Sequence, residues 1–139
     1  MLGEQIAESK GKIIGQRVLD VEGPTIETSV SASGSIKGTQ VKETLTFVGR
    51  PPSPPTTTSK GVLHGKGKGV IMAGESELAT YTGEGVGRLS SSGSINWRGS
   101  IFYSTSSNGV LSFLNNLIGV FEVEIDIEGN FSEKIWEWK

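Results

Sequence analysis

Two runs of glycine at every second residue, Gly65-Lys66-Gly67-Lys68-Gly69 and Gly83-Glu84-Gly85-Val86-Gly87, constrain the fold more than any other feature of this chain. Residues two apart in a strand lie on the same face, so each run strips the side chains from one face of one strand. The expected result is a curved antiparallel sheet with a locally thinned wall.

The rest of the sequence supports strands throughout. Hydrophobic residues recur with a period close to two, and turn residues recur about every ten to fourteen positions. Eight strands are predicted, over 12–22, 25–37, 39–50, 61–73, 78–90, 94–106, 119–128 and 131–138. Their short connections suit antiparallel neighbours. Eight meandering strands can close into a barrel whose interior holds side chains or one small ligand, and closure removes exposed sheet edges. The fold class is therefore all-β, an eight-stranded antiparallel meander closed into a single barrel domain over 1–139, with a two-sheet sandwich as the alternative. Two segments interrupt the alternation. Pro51-Pro52-Ser53-Pro54-Pro55 and the threonines after it form a Pro/Thr-rich loop over 51–60, either a stiff connection or a lid over one barrel mouth. Leu111, Leu114, Leu117 and Ile118 have helical spacing, so one short helix is expected near 111–118, capping the sheet.

Turn positions set the registers. A hairpin centred on Gly74-Glu75-Ser76 places Gly65 opposite Gly85, Gly67 opposite Gly83, and Gly69 opposite Tyr81; one centred on Ser92 places Gly87 opposite Trp97 and Tyr81 opposite Tyr103. Rings then lie over bare backbone, an arrangement that rescues glycine in sheets. The reverse face carries Lys66, Lys68, Glu84, Arg88 and Arg98, which belong in water, so the glycine face points inward. Two readings of that face stay open. Either the rings fill the space the glycines leave, or an apolar pocket remains for a small hydrophobic molecule, with Leu63, Tyr81, Gly85, Trp97, Ile101 and Tyr103 as the ligand-binding residues. Arg17, sharing a face with Ile13, Leu19 and Val21, and Glu43, sharing one with Val41, Leu45 and Phe47, are candidates for a buried pair at a polar end. Strand seven presents Phe121, Val123, Ile125 and Ile127 inward. For the final hairpin, a turn at Gly129-Asn130 sets Trp136 and Trp138 beside Val123 and Phe121. A one-residue shift instead pairs Glu124 with Lys134 and turns Glu133 towards Ile125.

Chemical motifs are sparse. The chain has no cysteine and one histidine, His64, which the register puts on the charged outer face, so no zinc site of the usual kinds can form and no metal is expected. Only Asp20 and Asp126 could orient His64 in a hydrolase triad, and nothing places either nearby. The row Glu122, Glu124, Asp126 and Glu128 spreads its carboxylates about 7 Å apart, too widely to converge on one calcium ion. The glycine-lysine alternation lacks the spacing of a phosphate loop. No catalytic residue and no cofactor is assigned. A net charge of −2 without a basic block argues against a nucleic-acid partner. The N-terminus lacks the basic start and apolar run of a secretory signal, and no apolar stretch is long enough for a membrane span, so a soluble cytoplasmic protein is expected.

The segment Gly83-Glu84-Gly85-Val86-Gly87-Arg88, the stretch Trp97-Arg98-Gly99-Ser100-Ile101-Phe102-Tyr103-Ser104-Thr105 and the strand Gly119-Val120-Phe121-Glu122 together resemble the second half of small uncharacterised prokaryotic barrel proteins. Those proteins are in turn similar to the barrel of plant allene oxide cyclase. The resemblance covers about the last 80 residues. It implies a barrel of the allene oxide cyclase or lipocalin kind, often self-associating, with an apolar lumen, but no catalytic motif of the cyclases maps onto this chain. Three functions follow as expectations: a binding barrel for a small apolar ligand; an isomerase or cyclase acting on an apolar substrate in the lumen, with Glu43 or Arg17 as its polar participant; or a homo-oligomeric module that associates through outward Val62, Val70, Val86 and Phe102.

Overall fold

The computed structural model describes residues 1–51 and 61–139, so the lid reading of the Pro/Thr-rich loop falls outside the described residues. Eight strands run in order: β1 (Leu2–Asp20), β2 (Thr25–Ile36), β3 (Thr39–Arg50), β4 (Val62–Ala73), β5 (Glu77–Leu89), β6 (Ile95–Ser104), β7 (Ile118–Ile125) and β8 (Asn130–Trp138). Each pairs antiparallel with the next, and β1 also pairs with β8, which closes the barrel.

The sheet alternates as the sequence requires. Val30, Leu45, Ile71, Ala79, Ile101 and Ile135 point inward and are buried, while every described lysine, arginine and histidine, His64 included, is exposed. The two central hairpins have the expected register: Gly65 faces Gly85, Gly67 faces Gly83, Gly69 faces Tyr81, Gly87 faces Trp97 and Tyr81 faces Tyr103.

The structure corrects the reading at three places. β1 begins at Leu2, ten residues before the predicted start, because register shifts between Leu2 and Gln5 and between Gln5 and Ala7 break the alternation that marks a strand in sequence. Ile6 and Ala7 are both buried as a result. A further shift between Ile13 and Gly15 disrupts the face that Arg17 was to share with Ile13. Residues 14–20 are all exposed, and Arg17 pairs on the outside with Glu27 at 3.4 Å, so it reaches no lumen.

The final hairpin adopts neither expected register. Asp126 Oδ1 accepts from the backbone N–H groups of Glu128 and Asn130, both at 2.9 Å, and Gly129 takes φ +82°, open to glycine at little cost. This side-chain-held turn ends β7 at Ile125 and leaves Ile127 75% exposed. Glu122 consequently faces Lys134, Phe121 faces Ile135, and Glu133 faces Val123 on the inward side.

The expected helix at 111–118 shrinks to a 3₁₀ turn over Ser112–Leu114. Asn115 is extended and Asn116 has φ +62°, so no second turn can follow. The segment still plugs one barrel end: Leu111 and Leu114 are 0% exposed, and the Leu111 N–H donates to Glu77 Oε1 at 2.9 Å.

Candidate functional site

The glycine face is largely covered by rings. A Cβ on Gly65 would come within 2.6 Å of the Trp97 ring, one on Gly87 within 2.9 Å, and one on Gly85 within 2.9 Å of Phe121; on Gly69 it would overlap Tyr81. Phe47 packs edge-on against Trp97 at 5.5 Å between centroids, and Tyr81 against Tyr103 at 5.7 Å. Gly67 and Gly83 are less tightly covered, with nearest neighbours at 3.3 Å and 3.0 Å. A cavity of about 70 Å³ remains at the centre of the barrel, walled by Phe47, Trp97, Ile101, Phe121 and the bare backbone of Gly65, Gly67, Gly83 and Gly85, with Tyr81 and Glu133 also on its lining. An apolar cavity of about 150 Å³ takes benzene with its six heavy atoms, so the space suits a guest of about three or four heavy atoms.

Of the six residues singled out from sequence, Tyr81, Gly85, Trp97 and Ile101 line this cavity together. Leu63 does not; it packs against the core from its margin. Tyr103 instead borders a separate gap of about 10 Å³ shared with Ser9, Glu43 and Glu133.

That gap marks a buried polar centre which the sequence reading found only in part. Ser9 (β1) faces Glu133 (β8) across the closing seam. Its Oγ lies 3.1 Å from Glu133 Oε1 and 3.2 Å from Glu43 Oε1, so one hydroxyl bridges two carboxyl groups. The Tyr81 hydroxyl donates to Glu43 Oε2. Between Ser9 and Glu43 the intervening strand β2 offers only Gly34 and Ala32, and a Cβ on Gly34 would overlap the Glu8 carbonyl oxygen and fall 2.5 Å from Ser9 Cα. The absence of bulk there permits the close approach.

No cationic side chain enters the lumen from the described residues. Burial is the main cause that raises Glu43 above the ordinary carboxylate value, opposed by hydrogen bonds from Tyr81, Glu133 and Ser9. Burial also raises Glu133, well above that value, and both the charge of Glu43 and the hydrogen bond with it push the same way. The pair therefore holds protons at pH values where ordinary carboxyl groups have lost them, Glu133 more firmly than Glu43. Glu133 lines the central cavity; Glu43 does not. Among the described residues two buried side-chain polar atoms have no partner, the Tyr103 hydroxyl and Trp97 Nε1. Among the described residues no group of three or more metal-ligating side chains converges, and no helix is long and apolar enough to cross a membrane.

No protein-family model matches the chain, and no curated protein matches it. Two solved structures share its fold end to end. A protein of unknown function from Clostridium acetobutylicum aligns with a TM-score of 0.77 at 11% identity, over 98% of each chain. A conserved protein of unknown function from Rhodopseudomonas palustris aligns with a TM-score of 0.75 at 7% identity, over 99% of each. At such identities the likeness establishes the eight-stranded barrel, and function has to be argued from the site.

Proposed function

We propose that the barrel binds one small, largely apolar molecule in its lumen, with a single hydrogen-bonding end directed at Glu133. The cavity carries this reading: aromatic walls and bare strand backbone around a hollow space, with Glu133 the one buried carboxyl group on the lining, while Lys66, Lys68 and Glu84, which also border it, are exposed residues of the outer face. The resemblance of segments between Gly83 and Glu122 to small prokaryotic barrels, themselves similar to the allene oxide cyclase barrel, supports an apolar guest. Size limits the class. An apolar protein cavity of about 150 Å³ accommodates benzene, so a space of about 70 Å³ holds less than one aromatic ring and no fatty acid or terpenoid.

Calorimetry and tryptophan fluorescence with guests of about three or four heavy atoms test the proposal. Binding is expected for acetone-sized molecules and not for long-chain fatty acids. Gly67→Ala, whose added methyl meets Phe47 and Thr46 no closer than 3.3 Å, should leave the barrel folded. It should weaken binding by about tenfold or more, the usual effect of one methyl group in a tight pocket. A folded barrel indifferent to every guest at millimolar concentration rules the reading out.

A second reading is self-association, favoured by an outward apolar belt. Exposed Leu2 pairs with exposed Trp138, exposed Phe102 with Ile118, and exposed Met72 with Leu78. Such a belt can meet its own copy about a two-fold axis. Light scattering at micromolar concentration should then report a dimer or larger, converted to monomer by Phe102→Glu; a monomeric wild type removes this reading.

A further inference from the structure

The polar end of the lumen gathers two buried carboxyl groups and, among the described residues, no basic side chain. Ser9 from β1, Glu43 from β3, Tyr81 from β5, Tyr103 from β6 and Glu133 from β8 are the polar groups that meet there, and none is basic. The other strands place Ala32, Ile71 and Val123 nearby, which carry no charge. Above this centre the cavity wall is aromatic, with Phe47, Tyr81, Trp97, Phe121 and Phe131 beside Glu133. Ring faces attract a cation through their quadrupole, the more so when water is excluded. The Tyr103 hydroxyl adds an independent observation: the residue is 3% exposed, its hydroxyl has no partner among the described residues, and it borders the small gap on the other side of Glu133, so its O–H is free to donate to the carboxylate that pairs with a cation in the cavity.

Resting on the binding reading above, we infer that the lumen is selective for a small organic ammonium ion, a protonated amine of about three or four heavy atoms whose alkyl groups face the rings and whose N–H meets Glu133. Entry of the cation displaces the proton of the carboxyl pair. The Glu133 O–H bond breaks, the proton leaves to solvent, and the ammonium N–H donates to the carboxylate, so the lumen gains one positive charge and loses another.

Calorimetry of the full chain at neutral pH tests this with dimethylammonium and trimethylammonium against the similarly sized neutral acetone and isopropanol, in two buffers of different ionisation enthalpy. The ammonium ions should bind at least tenfold more tightly than the neutral guests and release about one proton for each ion bound. Glu133→Gln should bring the ratio of ammonium to neutral affinity close to one. Should that variant fail to fold, Tyr103→Phe should lower the same ratio severalfold. Neutral guests binding as tightly as the ammonium ions, or ammonium binding without proton release, overturns the inference and leaves the binding reading standing. A lumen that takes neither class overturns both.

Discussion

Gly99→Ala is expected to cost about 4 kcal/mol or more, a large share of the 5–15 kcal/mol that holds a domain together. The added Cβ would fall on the carbonyl oxygen of Glu84, with Gly85 Cα 2.6 Å away and the Glu84 carbonyl carbon 2.8 Å away. All three atoms are backbone of the neighbouring strand, directly across the β5–β6 ladder where Gly85 faces Gly99. Relief would need the ladder itself to part, because no rotamer can move a main-chain atom. Gly65→Ala differs in kind, since its Cβ meets the Trp97 ring, which can rotate or shift at the expense of cavity volume. Gly67→Ala is milder still. Urea denaturation of the three variants should rank Gly99→Ala far below Gly65→Ala, and Gly65→Ala below Gly67→Ala. A Gly99→Ala unfolding free energy within about 1 kcal/mol of wild type would mean that the wall at Gly85 and Gly99 is not packed as described.

This distinction between glycines was only half legible in the sequence. The alternating triplets and the rings two residues apart fixed which residues face one another from β4 to β6, because short turns leave few registers and a one-residue slip would bring lysine into the core. Which glycine lies under a ring and which under a neighbouring main chain depends on the coiling of the closed sheet, and no pattern along one strand encodes that. The polar centre shows the same division. Glu43 was placed inward by its neighbours Val41, Leu45 and Phe47. Ser9 was lost with the bulged start of β1, although it alternates with Ala7, Gly11 and Ile13. Glu133 falls between two registers in the sequence because the turn before it is held by the Asp126 side chain, a local hydrogen-bonding choice that the alternation of hydrophobic residues does not encode. Arg17, proposed as the partner of Glu43, lies outside; the group that meets Glu43 is a second carboxyl, a pairing that charge complementarity would never suggest.

That pairing predicts a barrel that weakens as pH rises. Glu43 and Glu133 both have folded-state values above the ordinary carboxylate value of 4.5. Near and above that value the unfolded chain gives up its protons while the folded barrel retains them. The stabilising contribution is therefore fully present below pH 4.5, declines as pH rises towards the folded-state values, and is gone once they are passed. Each proton so retained gives a slope of about 1.4 kcal/mol per pH unit. Asp126, held below its ordinary value of 3.8 mainly by the Asn130 side chain, acts in the opposite sense: its contribution is lost as pH falls through the lowered value. The two effects occupy separate ranges and do not cancel. Tyr81 and Tyr103 add a further loss above about pH 10, where the unfolded tyrosines ionise and the buried ones, raised chiefly by burial, resist. Urea midpoints measured between pH 5 and 9 should fall steadily for wild type. Glu133→Gln, which keeps the shape and hydrogen-bonding capacity of the side chain while removing one titration and the proton it holds against Glu43, should flatten much of that fall and leave the variant the more stable of the two at pH 9. Equal slopes in wild type and variant, or a flat wild-type profile, would show that the two carboxyl groups do not share a buried proton.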